Sequence, residues 1–259
     1  MIDLHCHVLP GLDDGPENID GSAALARLAA ADGTRTMVAT PHVREDYPYE
    51  LELIGERAGA LNDRLAQDGV DLRVETGGEV ALSRLSQLNE SELATLCLGS
   101  SKSVLVESPY QQATDMVEDT LFNLQLAGFR PVLAHPERSP SFMTNPDRVE
   151  ALVERGVLCS VTAASMAGRF GRTVQRFTRV LFERGLVHDV ASDSHDIRKR
   201  PPGLTAGFRL LDRDLPGILA QAEWFTSSAP GAILAGVPLP ARVPLEAQRR
   251  GLRALRRRG

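Results

Sequence analysis

His5-Cys6-His7 lies in the opening run Asp3-Leu4-His5-Cys6-His7-Val8-Leu9-Pro10. On a strand, residues i and i+2 face the same side, so the two imidazoles form half of a metal site. Cys6 faces the other way, toward a core. The loop Gly11-Leu12-Asp13-Asp14-Gly15 adds two carboxylates. Further donors recur at the polar ends of short apolar runs: His42 after Thr40-Pro41, Glu79 after Gly77-Gly78, Glu107, His135 in Ala134-His135-Pro136-Glu137-Arg138, and Asp193 and His195 in Ser192-Asp193-Ser194-His195. Of the six histidines only His188 falls outside this scheme. Each residue also has an ordinary explanation. A lone His-x-His is more often a hydrogen-bonded pair, Asp-Asp-Gly is a turn, and His42 suits a loop. Glu79 and Glu107 suit ion pairs with arginine, and Asp193-Ser194-His195 suits a capped helix start. Taken together, nine donors at or near strand ends, counting one of the two loop aspartates, are hard to assign to separate structural tasks.

Imidazole and carboxylate donors without thiolate suit Mn²⁺, Fe²⁺ or Zn²⁺ rather than a structural cysteine-type zinc site. Nine donors exceed the needs of one or two ions, so a cluster of three is expected. Clustered divalent ions activate water and clamp phosphoryl oxygens during in-line displacement. Arg138 and Arg200 stand beside the donors, and a guanidinium matches phosphate geometry. The combination reads as phosphoester hydrolysis. No cysteine is followed six positions later by arginine, which argues against a thiolate phosphatase. Neither lysine, Lys102 or Lys199, follows glycine, so a Gly-Lys-Ser/Thr phosphate loop is absent.

These donors need a scaffold that gathers strand ends. Strands are expected over residues 2–6, 36–40, 72–76, 103–107, 131–134, 158–162 and 186–191. Helices are expected over 20–31, 49–67, 115–127, 146–154 and 174–183. Gly69, Gly128, Gly156 and Gly185 act as helix stops. Alternating strand–helix units argue for parallel strands in an α/β fold, and about seven of them favour a single barrel over an open doubly wound sheet. A parallel barrel collects functional residues at the C-terminal ends of its strands. Gly77-Gly78 is read as letting the backbone approach the ions closely.

The 259 residues are 42% hydrophobic and 24% charged, with a net charge of −5, ordinary for a globular enzyme and unlike a nucleic-acid binder. Seven arginines against Glu246 after residue 241 give the end of the chain an excess of six positive charges, so residues 1–241 carry −11. An acidic body suits cations, and the basic end is a candidate for contact with an anionic membrane surface or an acidic tail. Cys6, Cys97 and Cys159 are too few for a disulfide framework. With no leader-like or spanning segment, the expected setting is cytoplasmic.

The run Asp3 to Gly15 closely resembles the opening of the bacterial PHP-family (polymerase and histidinol phosphatase) tyrosine phosphatases, manganese-dependent enzymes encoded with capsule and exopolysaccharide genes. Ala39-Thr40-Pro41-His42, Gly77-Gly78-Glu79, Leu105-Val106-Glu107, Ala134 to Arg138, Ala164 to Gly171 and Ala191 to His195 are similar to its further motifs in order, up to about residue 236. Ser108 departs from the pattern, standing where the family usually has a bulky apolar residue.

The resemblance implies a distorted (β/α)7 barrel with a trinuclear site. His5, His7, Glu79 and Asp193 would hold one ion, and Glu79, Glu107 and His135 a second with Glu79 bridging. Asp14, His42 and His195 would hold the third, and Arg138 and Arg200 would bind phosphate. It further implies a protein-tyrosine phosphatase domain over residues 1–240; the basic tail over 241–259 lies outside the match and is read from its charge as separate. The nucleophile would be metal-bound hydroxide, and the substrate the phosphotyrosine tail of a bacterial kinase controlling polysaccharide export. The rivals are a small-molecule phosphatase of the histidinol-phosphate type and a non-catalytic metal-binding regulatory module.

Overall fold

Short runs rich in Val, Leu and Ala form strands that are mostly buried on both faces, as parallel strands between helices are; the run Arg73–Thr76 is half-exposed. The computed structural model describes residues 1–47, 50–109 and 116–242. The helix starts expected at Tyr49 and Asp115, and all of the basic tail beyond Arg242, lie outside these residues.

The chain begins with β1 (Ile2–Cys6), α1 (Ile19–Ala31), β2 (Thr36–Ala39) and β3 (His42–Val43), followed by α2 (Leu51–Gln67), β4 (Arg73–Thr76) and β5 (Glu79–Ala81). Two short helices, α3 (Leu82–Leu85) and α4 (Glu90–Thr95), lead to β6 (Ser103–Glu107), α5 (Val117–Leu126) and β7 (Arg130–Ala134). After a 3-10 turn at Pro136–Arg138 come α6 (Pro140–Thr144), α7 (Asp147–Glu154), β8 (Leu158–Thr162), α8 (Ala163–Met166), α9 (Arg172–Glu183) and β9 (Asp189–Ala191). The described chain closes with α10 (Thr205–Leu211), a π-helical turn at Trp224–Ser228 and α11 (Ala229–Leu234).

All strand pairs are parallel. One sheet has the order β1-β2-β4 and the other β3-β5-β6-β7-β8-β9. The chain steps from the first sheet to the second twice, at Thr40-Pro41 and at Gly77-Gly78. Proline has no N–H for a ladder and interrupts it. Beyond the break His42 pairs with Glu79, whose N–H donates to the Pro41 carbonyl at 3.0 Å. At the far side, the Asp193 N–H donates to the His5 carbonyl at 2.8 Å and the His7 N–H to the Ser194 carbonyl at 2.9 Å. These bonds place the segment after β9 alongside the end of β1. The fold is one α/β domain built on parallel sheets.

A small cluster on one sheet face joins Leu4, Val38, Leu105, Val132, Ala134 and Leu158 with Ile233 of α11. The larger core lies between the strands and the helices and takes the alternate residues Val104, Val106, Leu133, Cys159 and Val161. Cys6 is fully buried there, as its place between the two histidines requires.

Gly69, Gly128, Gly156 and Gly185 all have positive φ just past α2, α5, α7 and α9, as expected for helix stops. Gly77 and Gly78 serve differently from the expectation. A side chain on Gly78 would strike Leu96 and Val43, and one on Gly77 would press on Leu98 and Val38. Their bareness accommodates the apolar core rather than an approach to ions. The strand expected over 186–191 shrinks to Asp189–Ala191, because Leu186 and Val187 are apolar for core packing. No helix among the described residues is long and apolar enough to cross a membrane.

Candidate metal centre

His5, His7, Asp14, His42, Glu79, Glu107, His135, Asp193 and His195 converge: His5 and Glu107 lie at the ends of β1 and β6, His135 and Asp193 just past β7 and β9, and His42 and Glu79 open β3 and β5 just beyond β2 and β4. Their donor atoms form four overlapping groups, each within 4.8 Å: His7/Asp14/His42/His195, His5/His7/Asp193, His5/Glu79/His135 and His42/Glu79/Glu107. All but Asp14 are buried. Glu79 is shared by two groups, next to Glu107 in one and His135 in the other.

Local backbone shapes this cluster. Among the described residues, His135 (φ +37°) and Asp193 (φ +50°) are the non-glycine residues in the left-handed region. Such conformations cost about 1–3 kcal/mol and persist where the surroundings over-determine them. Each turns a donor at the end of its strand: His135 follows β7, and Asp193 follows β9.

The donor arrangement fits cations. His5 Nε2 and His7 Nε2 lie 3.3 Å apart, where one neutral ring can donate to the other. Glu79 Oε2 and His42 Nδ1 lie 2.9 Å apart without the geometry of a hydrogen bond, and both are buried. A shared cation would satisfy the Glu79–His42 pair, whose facing atoms have no hydrogen-bond partner.

The electrostatics show strong coupling among these groups: against its burial, Asp13 with Asp193 and Glu79 raises His7 well above its usual range. Burial alone would raise the Glu79 carboxyl, but His5, His135 and His42 hold it well below the usual range. Asp193 is likewise lowered against its burial by Arg138 and His5. Burial, with Arg138 beside it, lowers His135 to about 4, leaving the neutral imidazole that metal ligation requires. Burial and the neighbouring Glu79 raise Glu107. A like charge beside it disfavours the Glu107 carboxylate, which a proton or a nearby cation such as Arg44 offsets. Burial pushes the thiols up, Cys97 to about 11, so none offers a thiolate.

The loop aspartates divide their tasks. Asp14 joins the donor group, 3.2 Å from His195 Nε2 and 3.5 Å from His42 Nε2. Asp13 contacts His7 Nδ1 at 2.6 Å and accepts from the His42 and Gly15 N–H groups at 3.0 and 2.9 Å. It therefore orients His7 so that Nε2 points into the cluster, the usual carboxylate–imidazole support of a ligand. Arg138 and Arg200 reach one edge, where both donate to Asp193 Oδ2, at 2.6 and 2.5 Å. His188 stands apart, accepting from the Cys159 N–H. Ser108 donates to the Ala134 carbonyl at 2.5 Å, tying the end of β6 to β7.

Sequence reasoning missed three neighbours. Arg44 donates to Glu107 Oε1 at 3.2 Å, Tyr47 stacks on His42 with ring centroids 5.2 Å apart, and Glu137 is fully buried. Glu137 Oε1 accepts from the Thr162 N–H at 2.9 Å, tying the turn after β7 to β8. Its charge between His135 and Arg138 was the available signal, since an unpaired carboxylate is costly to bury.

Residues 1–228 match the family described as capsular polysaccharide synthesis, CpsB/CapC. The chain belongs to this family. It is 37% identical over 201 residues to the tyrosine-protein phosphatase YwqE of Bacillus subtilis, covering 77% of this chain and 79% of that protein. Identity to the tyrosine-protein phosphatase CpsB of Streptococcus pneumoniae is 29% over 219 residues, covering 82% and 89%. A solved chain from the crystal structures of YwqE and CpsB, described as unique metal-dependent tyrosine phosphatases, superposes with a TM-score of 0.81 at 31% identity. It covers 96% of this chain and 100% of that one. A β-aspartyl dipeptidase from Fervidobacterium islandicum, at 15% identity and TM-score 0.58 over 90% of this chain and 73% of its own, shares the fold.

Proposed function

We propose that this CpsB/CapC family member is a metal-dependent protein-tyrosine phosphatase, a phosphoric monoester hydrolase whose site is the nine-donor cluster. The observation that carries this reading is the convergence of nine nitrogen and oxygen donors with Arg138 and Arg200 at one edge. We read the parallel sheets as a distorted (β/α)7 barrel over residues 1–240, with Arg242 packed on it and the basic run beyond Arg242 able to contact an anionic surface. The substrate is the phosphotyrosine tail of a bacterial tyrosine kinase regulating capsule or exopolysaccharide synthesis, in the cytoplasm.

The donor set suits three divalent ions, manganese first, with iron or zinc as alternatives. Such ions would supply an activated water and neutralise phosphoryl charge when bound. The chain supplies the rest. His5, His7, Glu79 and Asp193 would hold one ion, Glu79, Glu107 and His135 a second, and Asp14, His42 and His195 a third, while Asp13 fixes the His7 ring. A guanidinium has five donors in a fixed fork. Arg138 and Arg200 can therefore bind phosphate oxygens and keep a contact with Asp193. They hold the ester in line for attack and stabilise charge on the equatorial oxygens.

The test compares kcat/KM for a phosphotyrosine peptide with that for histidinol phosphate on the purified, metal-loaded protein. We expect the peptide to be preferred by at least about tenfold, a difference of about 1.4 kcal/mol in transition-state binding. Preference for histidinol phosphate would place the chain among small-molecule phosphatases. Hydrolysis of neither, nor of a chromogenic aryl phosphate, would leave only a binding module.

A further inference from the structure

One residue at the mouth of the site has no task in the reaction as described. Phe170 is 37% exposed, although the core between strands and helices takes up most large apolar side chains. Its ring lies against Arg138, with the guanidinium carbon 4.8 Å from the ring centroid. We propose that Phe170 is a positioning residue that holds the Arg138 guanidinium in the plane needed to bind the substrate phosphate. This rests on the phosphate-binding role of Arg138 given above.

The argument starts from what a phosphate-binding arginine needs. Its side chain is long, and ordering it on binding costs rotamer entropy. A carboxylate partner orders it but occupies N–H groups that the phosphate requires. An aromatic face orders it without taking any N–H, because the attraction is to the ring's electron-rich face. Arg138 has both kinds of support: Asp193 Oδ2 on one N–H at 2.6 Å and Phe170 on the face of the fork.

The ring is itself carried on a fixed turn. The Gly168 N–H donates to the Ser165 carbonyl at 3.0 Å, the Arg169 N–H to Ala164 at 3.0 Å, and the Gly171 N–H to Gly168 at 3.1 Å. Gly168 and Gly171 flank Phe170 with φ of +76° and +94°, values that side-chain-bearing residues rarely adopt. From the other side, Gln175 Nε2 donates to the Met166 carbonyl at 3.0 Å. The turn bearing Arg138 is anchored to the same part of the fold, since Glu137 accepts from Thr162, whose hydroxyl meets Ser165 Oγ at 2.6 Å. Ring and guanidinium are thus held in register by two turns tied to α8.

The experiment is a double-mutant cycle on the full-length, metal-loaded protein. Its readouts are competitive inhibition by inorganic phosphate, KM and kcat for a phosphotyrosine peptide, and metal content. Phe170→Ala and Phe170→Leu should each weaken phosphate inhibition and raise KM, on the order of 3- to 30-fold, the range of a partly desolvated cation–π contact. Metal content should not change, and Phe170→Tyr should restore wild-type values. In an Arg138→Ala background, Phe170→Ala should add nothing. An equal penalty in both backgrounds, or Phe170→Leu matching wild type, would overturn the proposal. If Arg138→Ala weakens phosphate inhibition while Phe170→Ala does not, only the role of Phe170 falls. If Arg138→Ala leaves phosphate inhibition unaltered, the phosphate role of Arg138 falls and takes this proposal with it.

Discussion

Glu79 is the residue on which the cluster turns. It is fully buried, with His135 Nε2 at 2.8 Å, His42 Nδ1 at 2.9 Å, and the Nε2 atoms of His5 and His7 each at 3.4 Å. Glu79→Gln keeps the shape and removes the charge. We expect loss of bound metal by elemental analysis and a fall in kcat of more than about 10²-fold, the scale of removing a group that stabilises the transition state. Arg138→Ala should differ in kind, with metal content retained and turnover reduced. A loss of metal matching that of His135→Ala would make Arg138 a support for Asp193 instead. Away from the ions, burial pushes the Asp189 carboxyl up to about 8, and Ser160 Oγ donates to it at 2.5 Å. The folded protein therefore holds a proton there that the unfolded chain releases above about pH 4. This group's contribution to stability is complete below that value and declines as pH rises toward 8, by about 1.4 kcal/mol per unit. Asp189→Asn should shrink the fall in Tm between pH 6 and pH 8, and an unchanged fall would refute the assignment. At this scale the sequence was legible in residue types, since all nine expected donors meet. The division between Asp13 and Asp14 was not legible, because adjacent carboxylates in a loop are distinguished only by how that loop folds back on His7 and His42. Arg44 and Tyr47 were hidden for a similar reason, as nothing in their local pattern announces a contact with Glu107 or His42.

Among the elements, the loop after β1 is the most exacting. A Cβ on Gly15 would collide with the His7 carbonyl oxygen and lie 3.0 Å from Asp13 Oδ1. Gly15→Ala should destabilise the protein by about 1–3 kcal/mol through overpacking and reduce metal content with it. Gly59, inside α2, has nothing within 4 Å of such an atom. Gly59→Ala should instead raise stability by about 0.5–1 kcal/mol with metal content unchanged, since glycine is costly within a helix. Thermal denaturation of the two variants, with metal analysis, checks both. Strands were legible where an apolar run met a clear stop, and β1, β6 and β8 match their expected bounds. The short elements β3, β5, α3, α4, α6 and α8 were not, because two to six residues carry too little periodicity to register. Their existence depends on neighbours: β3 and β5 pair with each other beyond breaks in longer strands.

For the molecule as a whole, alternating strand and helix units made the α/β class and parallel pairing readable. How β1 meets the segment after β9 was not, since that contact joins opposite ends of the sequence through backbone bonds rather than through any local pattern. The basic end poses a separate question. Arg242 lies over Trp224 and Phe225, 5.4 and 5.2 Å from their ring centroids, so it belongs with the body. Removal of residues 243–259 should leave aryl phosphate hydrolysis unchanged and weaken co-sedimentation with anionic vesicles at low salt, where screening is least. Equal co-sedimentation by both forms would reduce the tail to a solvated end. Metal dependence itself is most directly tested by stripping the purified protein with a chelator and following hydrolysis of a phosphotyrosine peptide as Mn²⁺ is returned. Activity should vanish on stripping and recover in step with bound metal, levelling at about three ions per chain. Full hydrolysis by the stripped protein would contradict the assignment of the nine-donor cluster as the catalytic centre.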